Sequence, residues 1–449
     1  MVRGSSLLLL AALGCTELAS GNDRLDAMPD AGDVGVDTPE PDACGTADPC
    51  PPLCGREVGF IGSDIGTGLR VVGADQTLSC DRRYRFSDPI VVEPGATLFI
   101  EPGVILEAGS NAYILIQDGA RLVAEGTQEL PIVFTSTQAP EDRAPGDWPG
   151  IVLFGDAVVS DQPEDEEIEV LRWIEPSRSA FGGDDVEHDC GSLRYVRIEN
   201  AGRSSRLGVD LAFAGLTLGG CGTGTTIDRV QIHSALGDGA YFIGGALAVR
   251  RLMITDQRSS EDAANVGNGF IWNLGWAGSV QHLLVELAGD NGHNSVEGRM
   301  FNPLPPESPI VANATLVNPH TDGGAAIRLT AGSGVRVLNT IFRGHSAAYS
   351  VQEATENLGG FFDPDYFTLE GSILEDGVDL GSTEVANRVE PPMRGNRYAD
   401  PELDERFRPR ADGPANEGAV DLTAFGLEPT TYVGAIDPAG DDWTEGWTR

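Results

Sequence analysis

Residues 96–136 read ATLFIEPGVILEAGSNAYILIQDGARLVAEGTQELPIVFTS. Short runs of β-forming residues alternate here with Gly and Pro, the strongest local signals for turns. The predicted strands of this region, each three to five residues long, are 90–92, 98–100, 104–106, 113–116, 121–124 and 132–135. Connectors of only a few residues favour a coil in which every turn contributes several short parallel strands, stacked about 4.8 Å apart.

A looser version of this pattern continues towards the C-terminus. A β triplet followed by a polar loop recurs at residues 196–198, 230–232, 252–254, 283–285, 315–317 and 340–342, so that successive triplets start 22 to 34 residues apart. Irregular spacing of this kind is typical of a β-helix whose coils of about 20 residues carry loops of different lengths. The alternative is a β-propeller of about 40 residues per blade, for which the chain lacks a repeated blade signature.

The length and composition of the chain limit the fold classes to be expected, and its charge limits the binding partners. The 449 residues fit about three domains or one long solenoid, and 58 Gly with 7% aromatic residues argue against a helical bundle. All 30 basic residues are Arg and face 69 acidic residues, which gives a net charge of -39. Such a surface repels phosphate backbones, so we expect no nucleic-acid partner. Without any Lys, Schiff-base catalysis by lysine is excluded.

The N-terminus indicates export. Residues 1–14 contain a basic residue and a short apolar run, which predicts a lipoprotein signal peptide that is too short to span a bilayer. Cys15 then becomes the lipidated first residue of an outer-membrane lipoprotein that faces the periplasm or the cell surface, and Thr16 is not the Asp that commonly retains lipoproteins at the inner membrane. An ordinary signal peptide with a chance Cys is the alternative. The acidic, Pro-rich residues 15–43 predict a disordered tether.

Six cysteines remain once Cys15 is assigned to the lipid. An even number in an exported chain predicts three disulfides, for which 15 connectivities are open. Four cluster near the N-terminus, at Cys44, Cys50, Cys54 and Cys80, and we expect two bridges among them. Cys190 and Cys221 then pair by elimination. A metal site at Cys50 and Cys54 is the rival interpretation.

Several phrases of the sequence resemble a group of exported bacterial β-helix proteins. They are residues 96–136, PGDWPGIVLFGDA (145–157), LRYVRIENAG (193–202), GLTLGGCGTGTTIDRVQIHSALGDGAYFIGG (215–245) and the ending YVGAIDPAGDDWTEGWTR. The resemblance implies an all-β, right-handed parallel β-helix related in shape to pectate lyases, at the cell envelope and with no established activity. An Asp-rich stretch typical of the group is reduced here to Glu261 and Asp262.

The acidic loop GGDDVEHDCG (182–191) is the candidate metal site. Asp184, Asp185, Glu187 and Asp189 are hard oxygen ligands at a density that suits Ca²⁺, and a solvated acidic loop is the alternative. The fragments GDNGHN (289–294) and HTDGG (320–324) resemble parts of polygalacturonase motifs but come in the wrong order. No nucleophile elbow, zinc motif or Walker A sequence is present, so no catalytic residue and no other cofactor is assigned.

These observations favour a non-catalytic cell-envelope lipoprotein whose β-helix serves adhesion, recognition or a structural role. Its partners would be the membrane, through the lipid, and a glycan or an envelope protein. The alternative is a carbohydrate-active enzyme, a polysaccharide lyase or hydrolase, of pectate-lyase-like shape. The expected organisation is a signal peptide (1–14), a tether (15–43), a Cys-rich cap (44–88), the β-helix (89–431) and a C-terminal tail (432–449).

Overall fold

The computed structural model describes residues 50, 56–66, 68–160, 171, 174–202, 213–258, 267–288, 293–299, 309–319, 324–330, 333–352, 367–380 and 383–449. Its strands are β1 (Glu57–Gly59), β2 (Ser63–Asp64), β3 (Arg70–Val72), β4 (Gln76–Leu78), β5 (Arg82–Phe86), β6 (Ile90–Val92), β7 (Thr97–Ile100), β8 (Ile105–Ala108), β9 (Tyr113–Ile116), β10 (Arg121–Glu125), β11 (Ile132–Ser136), β12 (Gly150–Phe154), β13 (Gly191–Glu199), β14 (Leu216–Gly219), β15 (Thr226–His233), β16 (Ala240–Ile243), β17 (Ala248–Gln257), β18 (Phe270–Asn273), β19 (Ser279–Leu287), β20 (Val296–Arg299), β21 (Ile310–Val317), β22 (Ala325–Thr330), β23 (Val335–Leu338), β24 (Ile341–Arg343), β25 (Ala347–Gln352), β26 (Phe367–Glu370), β27 (Ile373–Leu374) and β28 (Arg397–Tyr398). The described residues hold one α-helix, α1 (Thr383–Val389), and 3-10 turns at Pro140–Asp142, Pro176–Arg178, Met393–Gly395, Pro414–Asn416 and Thr423–Phe425.

Each strand pairs in parallel with the equivalent strand of the next coil. Ten coils begin at β3, β6, β9, β12, β14, β16, β18, β20, β22 and β25, and these ten strands form the first sheet, extended at one end by antiparallel β2. The remaining strands form a second, 17-stranded sheet. The two sheets wind together as a right-handed parallel β-helix, the hand that parallel crossover connections almost always take. The predicted fold class is therefore confirmed.

The interior is filled by apolar side chains that stack from coil to coil. Ile90 pairs with Ile114 in the first sheet, and Leu98 pairs with Leu122 in the second. Midway along the helix the core becomes aromatic, with ring centroids 5.1 to 6.2 Å apart among Phe242, Phe270, Trp272 and Trp276. Because these side chains are fully buried, Trp272 and Trp276 fill the coils and do not offer a stacking surface for sugars.

The second sheet turns a corner inside its long strands. One residue adopts the left-handed conformation at this corner in each long strand of the second sheet (β13, β15, β17, β19 and β21), and Asn339 continues the column. Their φ angles are 48° at Tyr195, 58° at Arg229, 54° at Arg251, 62° at His282, 49° at Asn313 and 52° at Asn339. The conformation costs a non-glycine residue about 1 kcal/mol, and it persists where surrounding contacts fix it.

The C-terminal segment folds back over the outer side of the second sheet. We call residues 420–449 the strap; it includes the residues 432–449 predicted as a tail. Its Trp443 and Trp447 pack against Met253 of β17 and Leu284 of β19, and Leu422 packs against Leu338 of β23. At the other end of the helix, β1 to β5 lie within residues 44–88 and belong to the coil.

No helix in the described part of the chain is long and apolar enough to cross a membrane. Residues 1–43 lie outside the described residues. The signal peptide, the lipid on Cys15 and the tether therefore stay predictions.

Candidate functional site

The outward surface of the first sheet changes character along the helix. In the early coils it is apolar, with Leu115, Val152 and Phe154 covered by Ile174 and Phe181 of the loop between β12 and β13. The Phe154 and Phe181 rings stack with centroids 4.7 Å apart. From β16 onward most outward positions are polar. We call five of these residues the polar patch: Tyr241 on β16, Asn273 on β18, Glu297 and Arg299 on β20, and Arg328 on β22.

Parallel register places the members of the patch side by side. Asn273 pairs with Arg299, and Glu297 pairs with Arg328, in adjacent strands. Glu297 accepts two hydrogen bonds from Arg299, 2.9 Å from Nε and 3.3 Å from Nη2, and Arg328 Nη1 lies 3.9 Å away. Asn273 Nδ2 donates to the Tyr241 hydroxyl over 3.1 Å. The patch thus brings phenol, amide, carboxylate and guanidinium groups together on adjacent strands, with Asn273 and Glu297 buried and the other three residues partly exposed.

Within the patch, Glu297 and Arg299 form an ion pair that compensates the charge of both groups. Burial lowers the pKa of Arg299, but the adjacent Glu297 carboxylate and its hydrogen bond outweigh burial and raise that pKa above its ordinary value. The Glu297 side chain is only 3% exposed. Both carboxylate oxygens of Glu297 are thus bound by one guanidinium group, a geometry typical of strong charge-assisted hydrogen bonds.

An amide ladder fixes the turns that enter the patch strands. The Asp238 carboxylate accepts from the Asn268 backbone (3.0 Å) and side chain (3.1 Å). Asn268 in turn accepts from the backbone and side chain of Asn294, both at 3.1 Å, and Asn294 accepts from the Ala325 backbone at 3.0 Å. Burial raises the pKa of Asp238. Because each ladder residue lies two positions before a strand or starts one, the ladder holds successive coils in register.

Residues 70–448 match a protein family that is described as "Pectate-lyase like beta helix domain". The chain belongs to this family. No curated protein and no solved structure matches the chain. The match covers the coils from β3 onward, including the patch and nearly all of the strap.

The acidic loop of this pectate-lyase-like β-helix does not gather its carboxylates. Asp189 contacts Arg121 at 2.5 Å and accepts from the Gly191 backbone at 2.7 Å. Asp185 accepts from the Glu187 backbone at 3.1 Å and lies 3.8 Å from the His188 ring, while Asp184 and Glu187 are exposed. Across the described residues no group of three metal-ligating side chains comes together. Calcium binding here stays a prediction without an assembled site.

Two disulfides lie in the described residues. Cys190 and Cys221 are joined with an S–S distance of 2.07 Å, the pair that remained by elimination in the sequence. Cys50 is joined to Cys80, which pairs two of the four N-terminal cysteines. Cys44 and Cys54 fall outside the described residues, as do Cys15, Glu261 and Asp262.

A second surface feature is an open cleft of about 640 Å³ near the last coils. Arg343 crosses it and contacts Glu375 at 2.8 Å and Asp400 at 3.3 Å. Burial lowers the pKa of His345 in its lining to about 3, and the ring lies 2.9 Å from the Ser295 hydroxyl. The imidazole is therefore neutral at physiological pH.

The sequence did not single out the residues of the patch. It did contain a signal for the ladder, because Asp238-Gly, Asn268-Gly and Asn294-Ser each come directly before a strand of the first sheet. Asn294, the last residue of the fragment GDNGHN, belongs to the ladder. Residues 289–292 of that fragment lie outside the described residues.

Proposed function

We propose that the protein is a non-catalytic cell-envelope lipoprotein whose β-helix recognises a neutral glycan through the polar patch. The observation that carries the proposal is the state of Glu297: its two oxygens are occupied by Arg299, with Arg328 alongside. Polar groups held rigidly on a sheet orient hydroxyl groups well, whereas hydrolysis of a glycosidic bond needs a pair of carboxyl groups in distinct protonation states.

The charge of the chain supports a neutral ligand. At -39, the protein repels polyuronates at distances up to the screening length of about 8 to 10 Å. The patch itself holds two guanidinium groups against one carboxylate. Hydroxyl groups of a neutral sugar can accept from these guanidinium groups and donate to the amide and phenol oxygens.

A glycan array with neutral and acidic glycans, with and without Ca²⁺, tests the recognition role. We expect retention of neutral glycans that falls at least tenfold in Tyr241→Phe with Arg328→Met, without a change in melting temperature. Arg82→Met is the matched control, because Arg82 lies at the far end of the helix, is half exposed and forms a long ion pair with Glu57 at 3.9 Å. Equal retention by the patch variant would place recognition elsewhere. Release of shortened or unsaturated sugars would favour the enzyme alternative.

The envelope location is tested separately. With lipid on Cys15, the full chain should partition into the outer-membrane fraction, and Cys15→Ser should move it to the soluble fraction. Cys44→Ser keeps a cysteine substitution near the same end and serves as the control. Unchanged partitioning of Cys15→Ser would contradict the anchor and leave the glycan proposal standing, since the two rest on different residues.

A further inference from the structure

The strap is held to the coils by side-chain amides that bind its backbone. Asn339 accepts from the Val420 N–H at 2.8 Å and donates to the Val420 carbonyl at 3.1 Å. Gln281 makes the same reciprocal pair with Glu428, at 2.9 and 2.8 Å. Gln231 repeats it with Arg449, at 2.8 and 3.1 Å. Each side-chain amide thus satisfies both the backbone N–H and the carbonyl of one strap residue, as a neighbouring β-strand would do.

Further contacts extend this attachment along the helix. The Gln128 side chain donates to the Glu445 carbonyl at 2.9 Å, and Asn313 donates to the Tyr432 carbonyl at 3.1 Å. Arg250 and Arg251 both contact Glu428, at 2.8 and 3.1 Å. Arg449 reaches back to Glu199 at 3.4 Å. Every coil from the third, with β10 and β11, to the ninth, with β23 and β24, therefore touches the strap.

Ordinary solenoids lack such a connection. Each repeat contacts only its neighbours, so that stability is a sum of local interactions and the ends can unfold independently. A segment bound to seven consecutive coils changes this, because losing any one coil also costs strap contacts to the others. We propose that the strap is a clasp that makes the third to ninth coils unfold as one cooperative unit.

The corner column supports this role. Asn313, Asn339 and His282 adopt the left-handed conformation, and their side chains contact strap carbonyls at Tyr432, Val420 and Ala435, the last at 3.1 Å. The strained corner and the strap therefore depend on each other. Detaching the strap removes contacts that hold this conformation in several coils at once.

The test is hydrogen exchange read by mass spectrometry on the full chain across urea concentrations. In Gln231→Met with Gln281→Met, we expect exchange in peptides from residues 420–449 to accelerate roughly tenfold or more, since net hydrogen bonds of this kind each shift an equilibrium by up to about tenfold. Peptides from β13 to β21 should then open at different urea concentrations, whereas in the wild type they open together.

Gln76→Met is the matched control. Gln76 on β4 also binds backbone through its side-chain amide, accepting from the Gly62 N–H at 2.9 Å and donating to the Phe60 carbonyl at 2.7 Å, but it lies far from the strap, near the N-terminal end of the helix. It should leave the opening of β13 to β21 unchanged. The proposal is overturned if the double variant frees the strap while these coils still open together, or if strap exchange does not change. Should the variant fail to fold, the wild type decides: a strap that opens at low urea over fully protected coils contradicts the clasp.

Discussion

The two sheets line the same core, but their outward-facing surfaces differ in polarity and in what covers them. On the second sheet, the strap covers the surface with Trp443 and Trp447 against Met253 and Leu284. On the first sheet, the later coils present the polar patch instead. The inward residues of both sheets are aliphatic and aromatic side chains that stack from coil to coil. The outward residues differ between the two sides: on one side they bind the strap, and on the other they form the polar patch that we propose as a ligand-binding surface.

The early coils of the first sheet form a third kind of surface. Their outward residues are apolar, like those under the strap, but the cover comes from the loop between β12 and β13. That loop ends at Cys190, whose disulfide to Cys221 fixes it to the next coil. The apolar outward residues of the early coils are thus covered by chain, and the polar patch borders this covered cluster at Tyr241. Substitutions on the three surfaces should therefore change the free energy of unfolding by different amounts.

The strap side should give the largest loss of stability. Trp447 is 1% exposed, donates to the Trp443 carbonyl at 2.7 Å and packs edge-on to Tyr195. We expect Trp447→Ala to lower the free energy of unfolding by about 3 to 5 kcal/mol, as large-to-small core changes do, measured by urea denaturation. Phe60→Ala, at a residue 73% exposed, is the control and should change it by less than about 0.5 kcal/mol. Equal effects would mean that the strap is not an integral cover.

Removing the disulfide of the covering loop should give the second largest loss of stability. Replacing Cys190 and Cys221 by Ala opens a loop with a sequence separation of 31 and should cost about 3 kcal/mol. The pair Cys50 and Cys80, with a separation of 30, provides the comparison. It should cost no more, because Cys80 is only partly buried whereas both Cys190 and Cys221 are fully buried. A larger loss from the N-terminal pair would show that the loop cover matters little.

Acid should weaken the strap side through His282. Burial lowers the pKa of this histidine to about 4, against 6.5 ordinarily. Between these values the unfolded chain binds a proton that the folded chain does not, so stability falls as pH drops from 6.5 towards 4, by roughly 1 kcal/mol per pH unit. We expect His282→Asn, which keeps a side chain suited to the left-handed corner, to flatten the pH dependence of the urea midpoint. The same slope in both proteins would contradict this assignment.

The polar patch should give the smallest change in stability. The Arg328 side chain is 28% exposed and lies 3.9 Å from Glu297, which keeps Arg299 as its main partner. Arg328→Met should therefore alter the melting temperature by no more than a degree or two, in keeping with the small contribution of partly exposed ion pairs. A loss comparable to that of Trp447→Ala would show that the patch is part of the core structure and would weaken its assignment to a ligand.

Much of the fold could be predicted because short strands between Gly and Pro have few alternatives. The predicted strands 90–92 and 113–116 match β6 and β9 residue for residue. The triplets at 196, 230, 252 and 283 also lie in one register, since Val196 pairs with Val230, Val230 with Leu252, and Leu252 with Leu283. The β-helix was thus visible in the sequence, coil by coil.

The patch and the strap could not be predicted in the same way. Outward residues such as Asn273 and Arg299 resemble ordinary surface positions until the register places them in adjacent strands. Residues 432–449 carry Gly, Pro and Asp that are typical of a tail, and their attachment depends on Gln231 and Asn313, more than 100 positions away. Local pattern does not report such contacts, because nothing in a single amide side chain indicates that its partner is distant backbone.

The reciprocal amide pairs restrict the residue type on the coil more than the residue type on the strap. Val420, Glu428 and Arg449 contribute only an N–H and a carbonyl to these pairs. Any residue except proline supplies both groups. Asn339, Gln281 and Gln231 must instead keep an amide of the right length. Over many generations Val420 is therefore free to change identity while Asn339 stays fixed, so that sequence variation would conceal one half of this attachment and reveal the other. Glu428 and Arg449 are constrained in addition by their side chains, which bind Arg250, Arg251 and Glu199.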